Sequence, residues 1–136
     1  MANYYEKART NYFKVKDSVA FNSFVSLFNG EIEPVPHEVD GTIALLFSEE
    51  SGVPSSYYDH EAEDWVEIDF VNELAKHLTD DSIAVIEAVG SEKMRYLTGY
   101  AVAVNSQGYR LDINLSDIYG RARDFFGVKE ISTASH

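Results

Sequence analysis

The densest group of ligand-type side chains in the sequence is Asp59-His60-Glu61 with Glu63 and Asp64. Several oxygens close together are what a hard divalent cation requires. The spacing matches no EF-hand loop, which needs a central glycine and a closing bidentate glutamate, and zinc would need a further well-placed His or carboxylate. A solvated acidic loop leading into a helix explains the same residues, so no metal and no other cofactor is assigned. Nucleophilic catalysis would need a Ser or Thr beside a His and an acid. The histidines are His37, His60, His77 and His136. His136 falls in the tail, and His77 falls near a helix C-terminus, where a cation suits the dipole. There is no Gly-x-Ser-x-Gly elbow, and Gly90, Gly99 and Gly108 precede no helix bearing Lys-Ser/Thr, so no phosphate loop is present. Glu87 lies within an apolar strand and shares the parity of Val85 and Val89. A buried acid there would be a base of raised pKa, and an ion pair to Arg95 or Arg110 is the simpler expectation. No catalytic residue emerges, and the chain is read as non-enzymatic.

Charge is the more informative property. The chain of 136 residues has a net charge of -12. Residues 1–30 and 93–136 each carry a net charge of +2, whereas residues 31–92 hold 17 acids and one base, Lys76. A field of that sign repels phosphates and anionic membrane surfaces, so direct nucleic-acid and membrane binding are not expected. It favours basic protein surfaces, or serves solubility alone. There is no cysteine, which excludes disulfides and thiolate chemistry and fits a reducing compartment. The start, MANYYEKART, has no apolar core of a secretory signal, and no apolar run approaches the roughly 20 residues of a membrane span. A cytoplasmic location is the expectation.

The elements that must position these residues follow from periodicity. Arg9 to Lys16 alternates as a half-buried strand. Asp17 can cap a helix to Phe28, with Ala20, Phe21, Phe24, Val25 and Phe28 on one stripe and Asn29-Gly30 as its stop. Pro34 and Pro36 make residues 31–38 an edge strand or extended loop. Asp40-Gly41 reads as a hairpin turn into Thr42 to Ser48, a continuous apolar run that suits burial on both faces. Residues 49–63 read as a long loop. Asp64 and Glu67 have capping-box spacing for a helix to Leu78, with Ile68, Val71, Leu74, Ala75 and Leu78 inward. Three strands follow, Ser82 to Val89, Arg95 to Val104 and Tyr109 to Leu115, the last with Tyr109, Leu111, Ile113 and Leu115 inward and Arg110, Asp112 and Asn114 outward. Their short connections require antiparallel pairing. Ser116 can cap a final helix whose stripe is Tyr119, Ala122, Phe125 and Phe126, ended by Gly127. The prediction is one α+β domain over residues 1–136, with a mainly antiparallel sheet, helices largely on one face, the order β-α-β-β-α-β-β-β-α, and a frayed tail over 128–136.

Tyrosine and tryptophan add a second theme. Tyr4, Tyr5, Tyr12, Tyr57, Tyr58, Trp65, Tyr96 and Tyr100 exceed what a small core needs, and such side chains are enriched at interfaces. Tyr57, Tyr58 and Trp65 fall inside the acidic block. The candidate partner-binding residues are therefore Tyr57, Tyr58, Asp59, Glu61, Glu63, Asp64, Trp65, Glu67, Asp69 and Glu73.

The stretches ARTNYFKVKD (8–17) and EKMRYLTGYAVAVNSQG (92–108) resemble segments of small uncharacterised acidic proteins of bacterial mobile elements and phages. The likeness covers about a fifth of the chain and carries no catalytic signature. It implies a context in which small acidic proteins inhibit host defence nucleases by imitating the charge of DNA. The expected function is a non-enzymatic acidic module that occupies a basic groove on a nucleic-acid-processing or defence protein. The alternative is an accessory or assembly protein joined through an aromatic or apolar interface, on the sheet face or around Tyr4, Tyr5 and Tyr12. Crowded acids also predict raised carboxylate pKa values and a gain of stability on mild acidification.

Overall fold

A computed structural model describes residues 5–38, 40–48, 52–92 and 96–133. The chain is α+β, as its periodicity predicts. A six-stranded antiparallel sheet has the order β2-β3-β1-β6-β7-β8, from strands β1 (Tyr5–Thr10), β2 (Ile32–Pro36), β3 (Ile43–Phe47), β6 (Ile83–Glu92), β7 (Tyr96–Asn105) and β8 (Arg110–Asn114). Strands β4 (Ser56–Asp59) and β5 (Asp64–Glu67) form a separate hairpin. The helices are α1 (Ser18–Ser26), α2 (Phe70–Ala75) and α3 (Asp117–Phe126).

Helix α1 forms where the apolar stripe predicts it. The Asp17 carboxylate accepts from the Val19 and Ala20 N–H groups at 3.0 and 3.2 Å, satisfying donors a helix start leaves bare. Asn29 and Gly30 take positive φ of 53° and 84° and end it. Phe21, Phe24, Val25 and Phe28 are buried, while Ala20 of the predicted stripe is exposed. The Phe70 ring of α2 meets Phe24, Phe28 and Phe47 at centroid distances of 5.4, 5.6 and 5.4 Å, so one aromatic cluster joins both helices to the sheet. Beneath them, Ala8, Leu45, Ala84, Ile86, Ala88, Val102 and Val104 form the sheet side of the core.

The strand predicted over Arg9 to Lys16 lies earlier, at Tyr5–Thr10. Beyond it the ladder is interrupted: backbone bonds recur from the Asn11 N–H to Val85 and between Phe13 and Ile43, and polar side chains supply others between them. Thr10, itself buried, accepts the Leu45 N–H at 2.8 Å through Oγ1. Asn11 donates to the Ile83 carbonyl at 3.0 Å and accepts the Val85 N–H at 2.8 Å. Ser82 Oγ accepts the Lys14 N–H at 2.9 Å. Strand β2 is an edge, as its prolines require, and β3 lies between β2 and β1 with Ala44 and Leu45 fully buried.

Two element assignments need correction. The segment read as loop 49–63 contains β4, and the helix expected from Asp64 is instead β5 followed by the short α2. Asp69, not Asp64, caps that helix, accepting the Asn72 N–H at 3.2 Å. Tyr58, Trp65 and Val66 favour a pleated surface, and Tyr57 packs against Phe28 at 6.0 Å, so tertiary contact outweighs the acidic helix-start signal. Ser116 does occupy the α3 cap position, but its side chain makes no capping bond.

Candidate protein-interaction surfaces

The hairpin gathers most of the candidate residues. Its register pairs Ser56 with Glu67, Tyr57 with Val66, Tyr58 with Trp65 and Asp59 with Asp64. Paired residues share a face, so Tyr58, Trp65 and Glu67 lie on one side and Tyr57 and Val66 on the other. Tyr57 is half-buried against Phe28 and anchors the hairpin to α1. The outer face carries Tyr58 and Trp65 edge-to-face at 5.5 Å, with His60 against Tyr58 at 4.9 Å. Trp65 is 64% exposed. The connecting turn is held by the Asp59 carboxylate, which accepts from the Glu61 and Ala62 N–H groups at 3.0 and 3.3 Å. Glu63 takes a positive φ of 53° to close it. Glu67 is exposed on the Tyr58–Trp65 face, Glu61 and Glu63 are exposed in the turn, and Asp64 is exposed on the Tyr57 face.

The remaining candidates have structural duties. Asp69 caps α2 and pairs with Arg110 across 3.4 Å. Glu73 pairs with Lys76 at 3.0 Å. Asp69 thus ties α2 to β8, whereas the Glu73 pair lies within the α2 helix and its C-cap. Among the described residues, no three His, Asp or Glu side chains are grouped so as to hold a metal ion. His77 sits on the Phe24 ring, stacked at 4.9 Å, and edge-on to Phe21 at 5.7 Å. Burial among these rings lowers its pKa from the ordinary 6.5.

The second surface reverses an expectation. Leu111 and Ile113 were expected inward, yet they are 73% and 61% exposed. The register explains this. Ala84, Ile86 and Ala88 of β6 lie opposite Val104, Val102 and Tyr100 of β7, which lie opposite Arg110, Asp112 and Asn114 of β8. That row faces α1 and α2, and Arg110 reaches Asp69 there. The other parity faces away from both helices: Ile83, Val85, Glu87 and Val89 beside Gly99, Ala101 and Ala103, beside Leu111 and Ile113. Glu87 is exposed on this open face, laterally opposite Arg9. The expected pair to Arg110 does not form because Arg110 lies on the other face, and Arg95 lies outside the described residues.

The open face has no helix of its own over it. Helix α3 borders it with its first two turns, through Asp117, Ile118 and Arg121, and encloses a trough of about 390 Å³ floored by Gly99 and Ala101. None of the α3 residues is buried, and Phe125 and Phe126 are 83% and 71% exposed. Of the inward stripe predicted for this helix, Tyr119 and Ala122 are half-buried, while Phe125 and Phe126 stay exposed within one chain. The cue in the sequence was present in the alternation of β6 and β7, each apolar on both parities where one covered face needs only one.

No known protein family, curated protein or solved structure matches this chain. Among the described residues, no helix is long and apolar enough to cross a membrane.

Proposed function

We propose that this protein is a non-enzymatic protein-binding module that docks a basic protein surface through the β4–β5 hairpin. In that role it would act as a mobile-element or phage anti-defence protein, presenting carboxylates where a nucleic acid presents phosphates. The observation that carries the reading is the outward Tyr58–Trp65 pair with Glu67 on its face and the exposed acids Glu61, Glu63 and Asp64 at the tip of the same hairpin. An exposed aromatic anchor inside a charged rim supplies both parts of a specific interface: a desolvated centre and electrostatic steering. Those acids make no ion pair among the described residues, so their field is available to a partner. Retention of a bacterial nucleic-acid-processing protein on the immobilised chain at low salt, followed by kinetic binding measurements, tests it. Trp65→Ala is expected to speed dissociation at least tenfold. Joint neutralisation of Glu61, Glu63 and Glu67 to Gln is expected to slow association and flatten its salt dependence. Rates unchanged by both variants would sink the reading.

A second reading is an assembly module joined through an apolar surface, and the open sheet face is the observation that favours it.

A further inference from the structure

We infer that the occupant of the open sheet face is a second copy of this chain, whose α3 lies in the trough over β7 while its own face receives the first chain's α3. The inference rests on the assembly reading of that face and names its partner. It starts from two surfaces of one molecule that each lack what the other offers. The face of β6, β7 and β8 is bordered by α3 only along the first two turns of that helix, and α3 is an amphipathic helix whose last turn, with Phe125 and Phe126, lies against no sheet in the single chain. Layered folds are built by covering the one with the other.

Size and shape fit. The exposed large apolar side chains of this face and of α3 amount to on the order of 1,000 Å² per chain. That reaches the roughly 800 Å² per partner of a stable interface. The central strand places Gly99, Ala101 and Ala103 on this face, between Val85 and Val89 on one side and Leu111 and Ile113 on the other. The surface is lowest along β7, where a helix axis would lie. A Cβ added at Gly99 would meet Leu115 Cδ1 at 3.5 Å, so the small residue also keeps the trough open beside the start of α3. Only Leu115 and Ser116 separate β8 from α3. The helix therefore begins at the sheet edge, and its last turn carries Phe125 and Phe126 exposed.

Charge selects the same partner. Two chains of net charge -12 repel, unless they meet where the acid is not. The acidic hairpin is anchored on α1 through Tyr57 and Phe28, on the helix-covered side of the sheet. Glu87 is the one charged residue among the open-face positions of the described parts of β6, β7 and β8, and Lys7 and Arg9 adjoin it on β1. Joined through this face, two copies would hold their acidic hairpins apart and pointing outward. The dimer would then present two docking elements instead of one.

The full chain in sedimentation equilibrium, from low micromolar to about 100 µM, gives the test. A dimer is expected, and it should persist when salt is raised, because the contact is apolar. Phe125→Asp should weaken association at least tenfold without lowering monomer stability, since Phe125 is 83% exposed in the single chain. Ala101→Glu, in the trough, should do the same. The chain has no cysteine, so Ala101→Cys and Phe125→Cys proteins can be mixed and treated with a short bis-maleimide, and a hetero-crosslinked product is expected. A dimer indifferent to Phe125→Asp overturns the exchange. So does a chain that stays monomeric at the highest concentration. If that monomer binds an apolar dye strongly, and Ala101→Glu abolishes the binding, the assembly reading of the face survives without the second copy; if it binds none, both fail.

Discussion

His77 shows how one side chain couples the core to pH. It completes the aromatic cluster by stacking on Phe24, and that environment disfavours its charged form. Its folded pKa is lowered below 6.5, so the unfolded chain binds the proton more readily. The stability held by the neutral ring is present above the unfolded value and is lost as pH falls through the depressed folded value. Asp40 and Asp81, whose carboxylates accept hydrogen bonds from Thr42 and Thr79 respectively, are also displaced downward. Their contribution is present above 3.8 and is lost only in stronger acid. The crowding of acids along the sequence predicts the opposite sign near neutrality, yet the described groups with displaced pKa values all move against acidification. The melting temperature is therefore expected to fall between pH 7.5 and 5.5, and His77→Phe should remove much of that fall. Equal losses in the variant and the parent would show that His77 is not the group responsible.

At the scale of elements, the sheet depends on side chains where its backbone ladder stops. Strands β1 and β3 share a single registered pair, Arg9 with Leu46, and the next bond is made by Thr10 Oγ1 to the Leu45 N–H. Both groups are buried, so no water can replace the lost acceptor. Thr10→Val keeps the shape and removes the oxygen, and a loss of about 1–3 kcal/mol is expected by chemical denaturation. A neutral result would mean that the backbone bonds on either side, at Arg9–Leu46 and Phe13–Ile43, hold the two strands without it. The hairpin β4–β5 is the other lesson at this scale. Alternating Tyr57, Tyr58, Trp65 and Val66 had strand chemistry, but the Asp64 and Glu67 spacing masked it, because the same acids that begin a helix also line a hairpin turn.

Across the whole molecule charge is unevenly placed: the acidic hairpin lies on the helix-covered side of the sheet, and the other side is a mainly apolar face. Like charges in residues 31–92 repel across solvent, where salt screens them over a Debye length of about 8–10 Å. The folded state concentrates that charge more than the unfolded chain does, so added sodium chloride is expected to raise the melting temperature at pH 7.5. A melting temperature that falls with salt would show that the paired acids, Asp69 with Arg110 and Glu73 with Lys76, outweigh the repulsion.

The sequence by itself determined the fold class, the antiparallel sheet, the Asp17 cap and aromatic stripe of α1, the proline-marked edge at β2 and the uneven charge. Each is set by local chemistry: a side-chain cap, a missing N–H, a periodicity of two or of 3.6. Which Tyr and Trp would turn outward together, and which parity of β6, β7 and β8 would be covered, were not local questions. Strands β6 and β7, apolar on both sides, read the same whichever face meets the helices, and the packing of α1 and α2 chose the Ile86 row over the Ile113 row although β8 alternates cleanly. The stripe on α3 is equally silent about its partner, because periodicity marks a face to be buried but not the surface that buries it.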